Sequence, residues 1–208
     1  MSESQRVPFV SGPARFGTAG RGPSAIGVFR RETGQLIQTI SIVGEDLSQE
    51  HALSNIAIDG DGRIYALSTQ LGIVRFTKVG HSYVQDSYGS PLPNLPACGA
   101  ALPGEDCSPT TIGFPPLPND IVFDEAGNLY VTDSLQATIF RYAPGGGDPS
   151  IWFQSSVLEG GGPIPFGTNG IRIDPTHSFV YFASSTSVAA FNAIPFNERG
   201  KSFQLVNL

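Results

Sequence analysis

Three stretches of the chain repeat one order of apolar and polar positions. Ser54 to Ser68 reads SNIAIDGDGRIYALS, Pro118 to Asp133 reads PNDIVFDEAGNLYVTD, and Thr168 to Ser184 reads TNGIRIDPTHSFVYFAS. Each opens on a polar residue, runs through a short apolar strand that ends in Asp, turns, and returns in a second strand centred on Tyr. Runs of β-branched and aromatic residues bounded by Gly, Asn, Asp and Pro predict β-hairpins. Asp59, Asp124 and Asp174 precede the three turns, where a carboxylate caps backbone N–H groups. A further strand-like run follows each hairpin: GIVRFTK from Gly72, TIFRYAP from Thr138 and SVAAFNA from Ser187. Outer strands follow in SIWFQ from Ser150 and SFQLV from Ser202, and AIGVFRRETGQLIQTISI from Ala25 has the pattern of an earlier pair.

One repeat is therefore about four antiparallel strands in roughly 50 residues, the size of a β-propeller blade. The expected fold is all-β, a single domain over 1–208 with about four blades, near 8–45, 52–95, 118–158 and 165–208. A swollen loop over 80–117 separates the second blade from the third. The inner strands IVF and IRI are apolar at successive positions, which predicts burial on both faces. The 25 glycines and 17 prolines agree with many tight turns.

Charge narrows the partners. The formal net charge is −6 and no Lys/Arg cluster is present, so a phosphate backbone or an anionic membrane surface would be repelled. No apolar run is long enough for a bilayer helix, and the start MSESQRVPFV lacks a basic region followed by an apolar one. Cys98 and Cys107 lie together in ACGAALPGEDCSP, which reads better as a disulfide clasp than as a zinc site, with free thiols as the alternative. A disulfide implies an oxidising, extracellular or periplasmic location; a mature chain that begins after a removed signal reconciles this with the start.

The stretches NDIVFDEAGNLYVTDS and, one blade later, NGIRIDPTHSFVYFASS resemble the regucalcin and gluconolactonase-like six-bladed propellers. The resemblance covers roughly Leu53 to Asn192. It implies a divalent cation, usually calcium, in a central tunnel, with Asn119 and Asn169 as metal ligands and Asp120 as an acid touching substrate or metal-bound water. An oxygen-rich site of this kind suits a hard cation, and a Lewis acid there would polarise a lactone or ester carbonyl. The family also uses a Glu from its first blade and an Asp from the blade after the Asn-Gly one. Ser11 stands where the Glu would be, and the chain ends at Leu208 before the other blade begins.

Asp133, with Ser134 beside it, ends the second strand of its hairpin and is a candidate acid or base next to Asn119. His51 precedes an inner strand and is a further catalytic candidate. The GGG at 145–147 and the GGGP at 160–163 lead into neither Gly-Lys-Ser/Thr nor a helix and are expected to link strands. The leading expectation is a calcium-dependent hydrolase of a small-molecule lactone or ester; the alternative is a non-catalytic propeller that binds a ligand or protein. Four blades of a six-bladed ring would leave open edges, through which the chain could self-associate.

Overall fold

A computed structural model describes residues 7–110, 113–161 and 165–185, and the backbone of 191–195. The chain divides into two compact units, 1–87 and 88–208. In the first unit, strands β1 (Phe9–Gly12), β2 (Ala25–Phe29) and β3 (Leu36–Ser41) form one antiparallel sheet in sequential order. Strands β4 (Leu53–Ile58), β5 (Ile64–Ser68), β6 (Gly72–Val79) and β7 (Ser82–Gly89) form the next. In the second unit, β8 (Pro118–Phe123), β9 (Leu129–Asp133), β10 (Thr138–Tyr142) and β11 (Ser150–Gln154) make a four-stranded sheet. Strands β12 (Thr168–Ile173), β13 (Phe179–Ser184) and β14 (Phe191–Pro195) make a three-stranded one. Each sheet is a meander, the strand order of a propeller blade. The expected outer strand SFQLV and the start of SVAAFNA lie outside the described residues.

The hairpins form for the reason their turn residues suggest. Asp59 Oδ1 accepts the N–H of Asp61 and of Arg63, each at 3.0 Å, and its Oδ2 accepts the Tyr65 hydroxyl at 2.9 Å. Asp124 repeats this with Asn128 N at 2.8 Å and the Tyr130 hydroxyl at 3.1 Å. The third hairpin keeps the carboxylate and replaces the tyrosine: Asp174 is bonded by Thr176, Ser178 and Phe179. A left-handed residue is needed in each turn, Gly62 and Gly127 in the first two and His177 at φ 53 in the third.

The fully buried strands are β5 and β9, the second of each four-stranded sheet; β4 and β8 are only partly covered. The expectation that IVF and IRI are buried on both faces is corrected accordingly. A first strand ends its sheet and has a hydrogen-bonded neighbour on one side only, so its flank stays open even where its faces are apolar. The core of the first unit gathers Ile26, Val28, Ile40, Leu53, Ile64 and Phe76, and that of the second Tyr130, Ile139, Leu158, Ile171, Val180 and Phe182. Apolar burial of this kind contributes about 25 cal/mol per Å².

The swollen loop carries a disulfide between Cys98 and Cys107, and no free cysteine is present among the described residues. The glycine run at 145–147 is more than a linker. All three residues have positive φ, and the run clasps the end of β7 and the residue after it through Gly147 N to Tyr88 O at 2.8 Å and Ser90 N to Gly147 O at 3.0 Å. No helix among the described residues is long and apolar enough to cross a membrane.

Candidate functional site

Side chains on a strand alternate between its faces, so Thr132 and Ser134 point to one side of β9 and Asp133 to the other. On the first side the structure brings Asn119, Asp120 and Asn169 together. Asn119, at the start of β8, donates through Nδ2 to Ser134 Oγ at 2.9 Å, and that hydroxyl donates to Thr168 O at 2.8 Å. Asn169, at the start of β12, repeats the arrangement by donating through Nδ2 to Ser185 Oγ at 2.7 Å. Thr132 fastens the two strand starts: its hydroxyl accepts the Asp120 N–H at 3.1 Å and donates to Asn169 O at 2.6 Å. Each asparagine thus has its NH₂ end held by a serine, which turns the amide oxygen away from that serine.

Asp120 is buried and its carboxylate is occupied. Its Oδ1 accepts the Ile121 N–H at 2.8 Å; its Oδ2 accepts the Ile171 N–H at 2.9 Å and the Arg172 Nη1 at 2.6 Å. The carboxylate therefore stitches β8 to β12, with the largely exposed Arg172 guanidinium balancing its charge. Where the sequence suggests an acid facing substrate or metal water, the geometry shows one facing backbone N–H groups and an arginine.

Asp133 is fully buried on the opposite side. Its Oδ1 accepts the N–H of Leu135 and of Gln136, both at 2.8 Å, and its Oδ2 accepts Leu117 N at 3.1 Å and Gln136 Nε2 at 3.2 Å. Burial pushes this carboxyl above its ordinary range while the four donors pull it back. The site holds no side chain that the carboxylate could relay a proton to among these bonds; it shapes a turn.

His51 lies in the first unit and is also buried. Its Nδ1 meets Gln49 O at 2.9 Å and its Nε2 meets Gly22 O at 3.0 Å. Both partners are carbonyl acceptors, so both bonds exist together only when the ring carries two protons. The Gln49 and Gly22 carbonyls, aided by Glu45 and Glu50, raise the His51 pKa against the opposing effect of burial. An imidazolium held in this way has no lone pair to offer as a base.

As a metal centre the arrangement is partial. Calcium takes six to eight oxygens, and the two asparagines offer two amide oxygens of the right chemical kind. No group of three or more His, Cys, Asp or Glu side chains suited to a metal occurs among the described residues. Sequence reasoning missed Ser185, Thr132, Arg172 and Gln136. A readable signal existed for the serines: a hydroxyl residue follows each asparagine by 15 or 16 positions, at the far end of the same hairpin.

No known family's model matches the chain, and no curated protein matches its sequence. Solved structures resemble it. A putative 6-phosphogluconolactonase from Bacteroides uniformis ATCC 8492 shares 15% identity at a TM-score of 0.51, over 96% of this chain and 53% of that one. A catalytically inactive virginiamycin B lyase from Staphylococcus aureus, solved with Quinupristin, shares 12% identity at a TM-score of 0.46, over 92% of this chain and 61% of that one. The chain thus spans about half the length of the first of these structures. With its four meander sheets, the likeness makes this an all-β protein of the β-propeller class.

Proposed function

We propose that the chain belongs to a propeller hydrolase of the gluconolactonase kind, opening a lactone or related ester at the edge where β8 and β12 begin. The observation that carries this reading is the repeated asparagine–serine pair, in which two amide oxygens are presented by neighbouring strand starts while their NH₂ groups are held. Amide oxygens turned away from their serines suit a hard cation or the hydroxyl groups of a sugar-like lactone. When bound, a divalent cation would supply Lewis-acid polarisation of the carbonyl. Asn119 and Asn169 would hold it, with the remaining oxygens drawn from water or from outside the described residues. The name of the lactonase-like structural neighbour agrees with the substrate class. In this reading Asp120 ties β8 to β12, Asp133 and His51 hold backbone within their own units, and none of them touches substrate. The disulfide supports an oxidising compartment.

A second reading, binding without catalysis, draws on one observation: among the described residues the side-chain bonds of both asparagines reach only serines, and none reaches an acid or a histidine. One experiment separates the two. Hydrolysis of a lactone panel is measured with calcium, after chelation, and for Asn119→Ser and Asn169→Ser, beside calorimetric titration of calcium. The hydrolase reading expects turnover that chelation abolishes and that either substitution lowers at least tenfold, the order of effect seen when one polarising contact is removed. Calcium or ligand binding with no turnover favours the binding module.

A further inference from the structure

The cystine loop is fastened to the sheet of β8–β11, within the second unit, through Gln136, a fully buried side chain with every polar end in use. Its Oε1 accepts the Leu95 N–H at 2.6 Å, and its Nε2 donates to Pro93 O at 3.0 Å and to Asp133 Oδ2 at 3.2 Å. Ser108, one residue past the disulfide, donates to Gln136 O at 2.7 Å, and Gln154 Nε2 donates to Cys107 O at 2.7 Å. Asp133 Oδ2 in turn accepts the N–H of Leu117, two residues before Asn119. Ser134, the partner of the Asn119 amide, donates its own N–H to Leu117 O at 2.9 Å. A continuous set of buried hydrogen bonds therefore joins the loop to the strand start that presents Asn119.

The first unit contains the same turn without the loop. There Ser68 Oγ accepts the N–H of Gln70 at 3.3 Å and of Leu71 at 3.2 Å, as Asp133 Oδ1 does for Leu135 and Gln136. Ser68 thus occupies the position of Asp133, and Leu71 that of Gln136. A serine and a leucine suffice to build the turn. The aspartate and glutamine add two acceptor positions and an amide, and these extra groups go to Leu117 and the loop.

We propose that the cystine loop is the substrate-selecting wall of the Asn119 edge, seated there by Gln136 and Asp133 as positioning residues. This rests on the hydrolase reading and names the substrate class. The tip enclosed by the disulfide exposes Leu102 beside Pro103, with the acidic Glu105 and Asp106 next to it. Glu105 Oε2 accepts the Leu102 N–H at 2.9 Å and the Glu105 N–H bonds back to Leu102 O at 3.0 Å, which fixes the tip around the leucine. An apolar tip with acidic flanks favours uncharged lactones that carry an apolar substituent and repels phosphorylated or carboxylated ones.

Two variants test this on the full chain. Asp133→Ser with Gln136→Leu copies the turn of the first unit, so it keeps the blade and releases the loop; Leu102→Asp alters only the exposed tip. Amide hydrogen exchange is read at Leu95 and Ser108, with Ile121 and Val131 as blade controls, and KM and kcat are measured on an alkyl-substituted δ-lactone and on gluconolactone. The double variant is expected to lose protection at the loop amides alone. Both variants are expected to raise KM for the alkyl lactone roughly tenfold, the weight of one or two methylene contacts, and Leu102→Asp, which leaves the strand start of Asn119 untouched, is expected to keep kcat and the gluconolactone constants nearly unchanged. Unchanged loop protection in the double variant, or an unchanged preference between the two lactones in either variant, overturns the inference and leaves the hydrolase reading standing. Absence of hydrolysis of any lactone by the parent chain overturns both.

Discussion

Gly146 is the position where a single methyl group has the largest calculable consequence. A Cβ built there would lie 1.8 Å from Tyr88 O and 2.7 Å from Tyr88 C, far inside contact distance, and φ is +87°. Gly145 has φ +97° with nothing within 4 Å of its Cβ position, so Gly145→Ala incurs the left-handed strain alone, about 1–2 kcal/mol. Gly146→Ala adds the collision. Tyr88 must withdraw, which breaks Gly147 N to Tyr88 O and Ser90 N to Gly147 O, each worth about 0.5–1.5 kcal/mol. It also disturbs the bond from the buried Tyr142 hydroxyl to Ser90 O at 2.7 Å. The sum is about 2–5 kcal/mol for Gly146→Ala, roughly twice the loss at its neighbour or more. Urea denaturation of the two variants beside the parent measures both, and the melting temperature of Gly146→Ala should fall by roughly 10 °C. Equal losses at the two positions, or a loss below about 1 kcal/mol at Gly146, would refute the reasoning that the run is a clasp.

His51 gives a pH dependence of definite sign. Its folded pKa is raised above 6.5 by the Gln49 and Gly22 carbonyls, so the stabilisation is complete below 6.5 and is lost as pH rises through the folded value. Melting temperatures should therefore fall with rising pH over that window and lose this slope in His51→Gln; a rise with pH would contradict the doubly protonated ring. Asp174 has the opposite sign. Its pKa is lowered from 3.8 to about 2, first by the Thr176 hydroxyl, so its turn keeps its contribution above 3.8 and loses it as pH falls through about 2. Carboxyl carbon NMR should place its midpoint near 2, and a midpoint at 3.8 or higher would show that the turn bonds are not formed in solution. Self-association is expected as well, because β3 ends its sheet among the described residues with Leu36 and Ile37 exposed. Light scattering on the size-exclusion peak checks this, and a strict monomer at high concentration rejects it.

The hairpins were legible because their signal is local: an Asp, a left-handed turn residue and a returning strand stand within a few positions of one another. The two asparagines were singled out through resemblance alone, while the serines that hold them stand 15 and 16 positions further on, an offset that only becomes meaningful once the hairpin is drawn. The chemistry assigned to Asp120, Asp133 and His51 was not legible, since a carboxylate or imidazole at a strand end reads the same whether it faces solvent or backbone. What decides it is the count of nearby donors and acceptors: three donors from two strands for Asp120, four around Asp133, two carbonyls around His51. Those donors and acceptors are contributed by residues as distant as Ile171 from Asp120 and Gly22 from His51, and no local pattern announces them. Gln136 escaped notice for the same reason, because its partners Pro93 and Leu95 belong to the inserted loop.

The repeats also supply the control for the asparagines. In the first unit, Ser54 occupies the place of Asn119 and Thr69 that of Ser134, and the hairpin forms with its second strand just as buried. Thr69 Oγ1 there accepts the Ala52 N–H at 3.0 Å, a bond that serves the turn. The blade therefore does not require an amide at the strand start, and the Asn119–Ser134 and Asn169–Ser185 pairs are additions to it. A residue that the fold can replace with serine, and that two neighbouring blades nevertheless both carry with the same amide bond, is better explained by what it presents outward than by what it holds. That is why serine is the substitution of choice at both positions. It restores the first unit's own solution, so stability should stay within about 1 kcal/mol of the parent, and any loss of binding or turnover is then a loss of the amide oxygen itself.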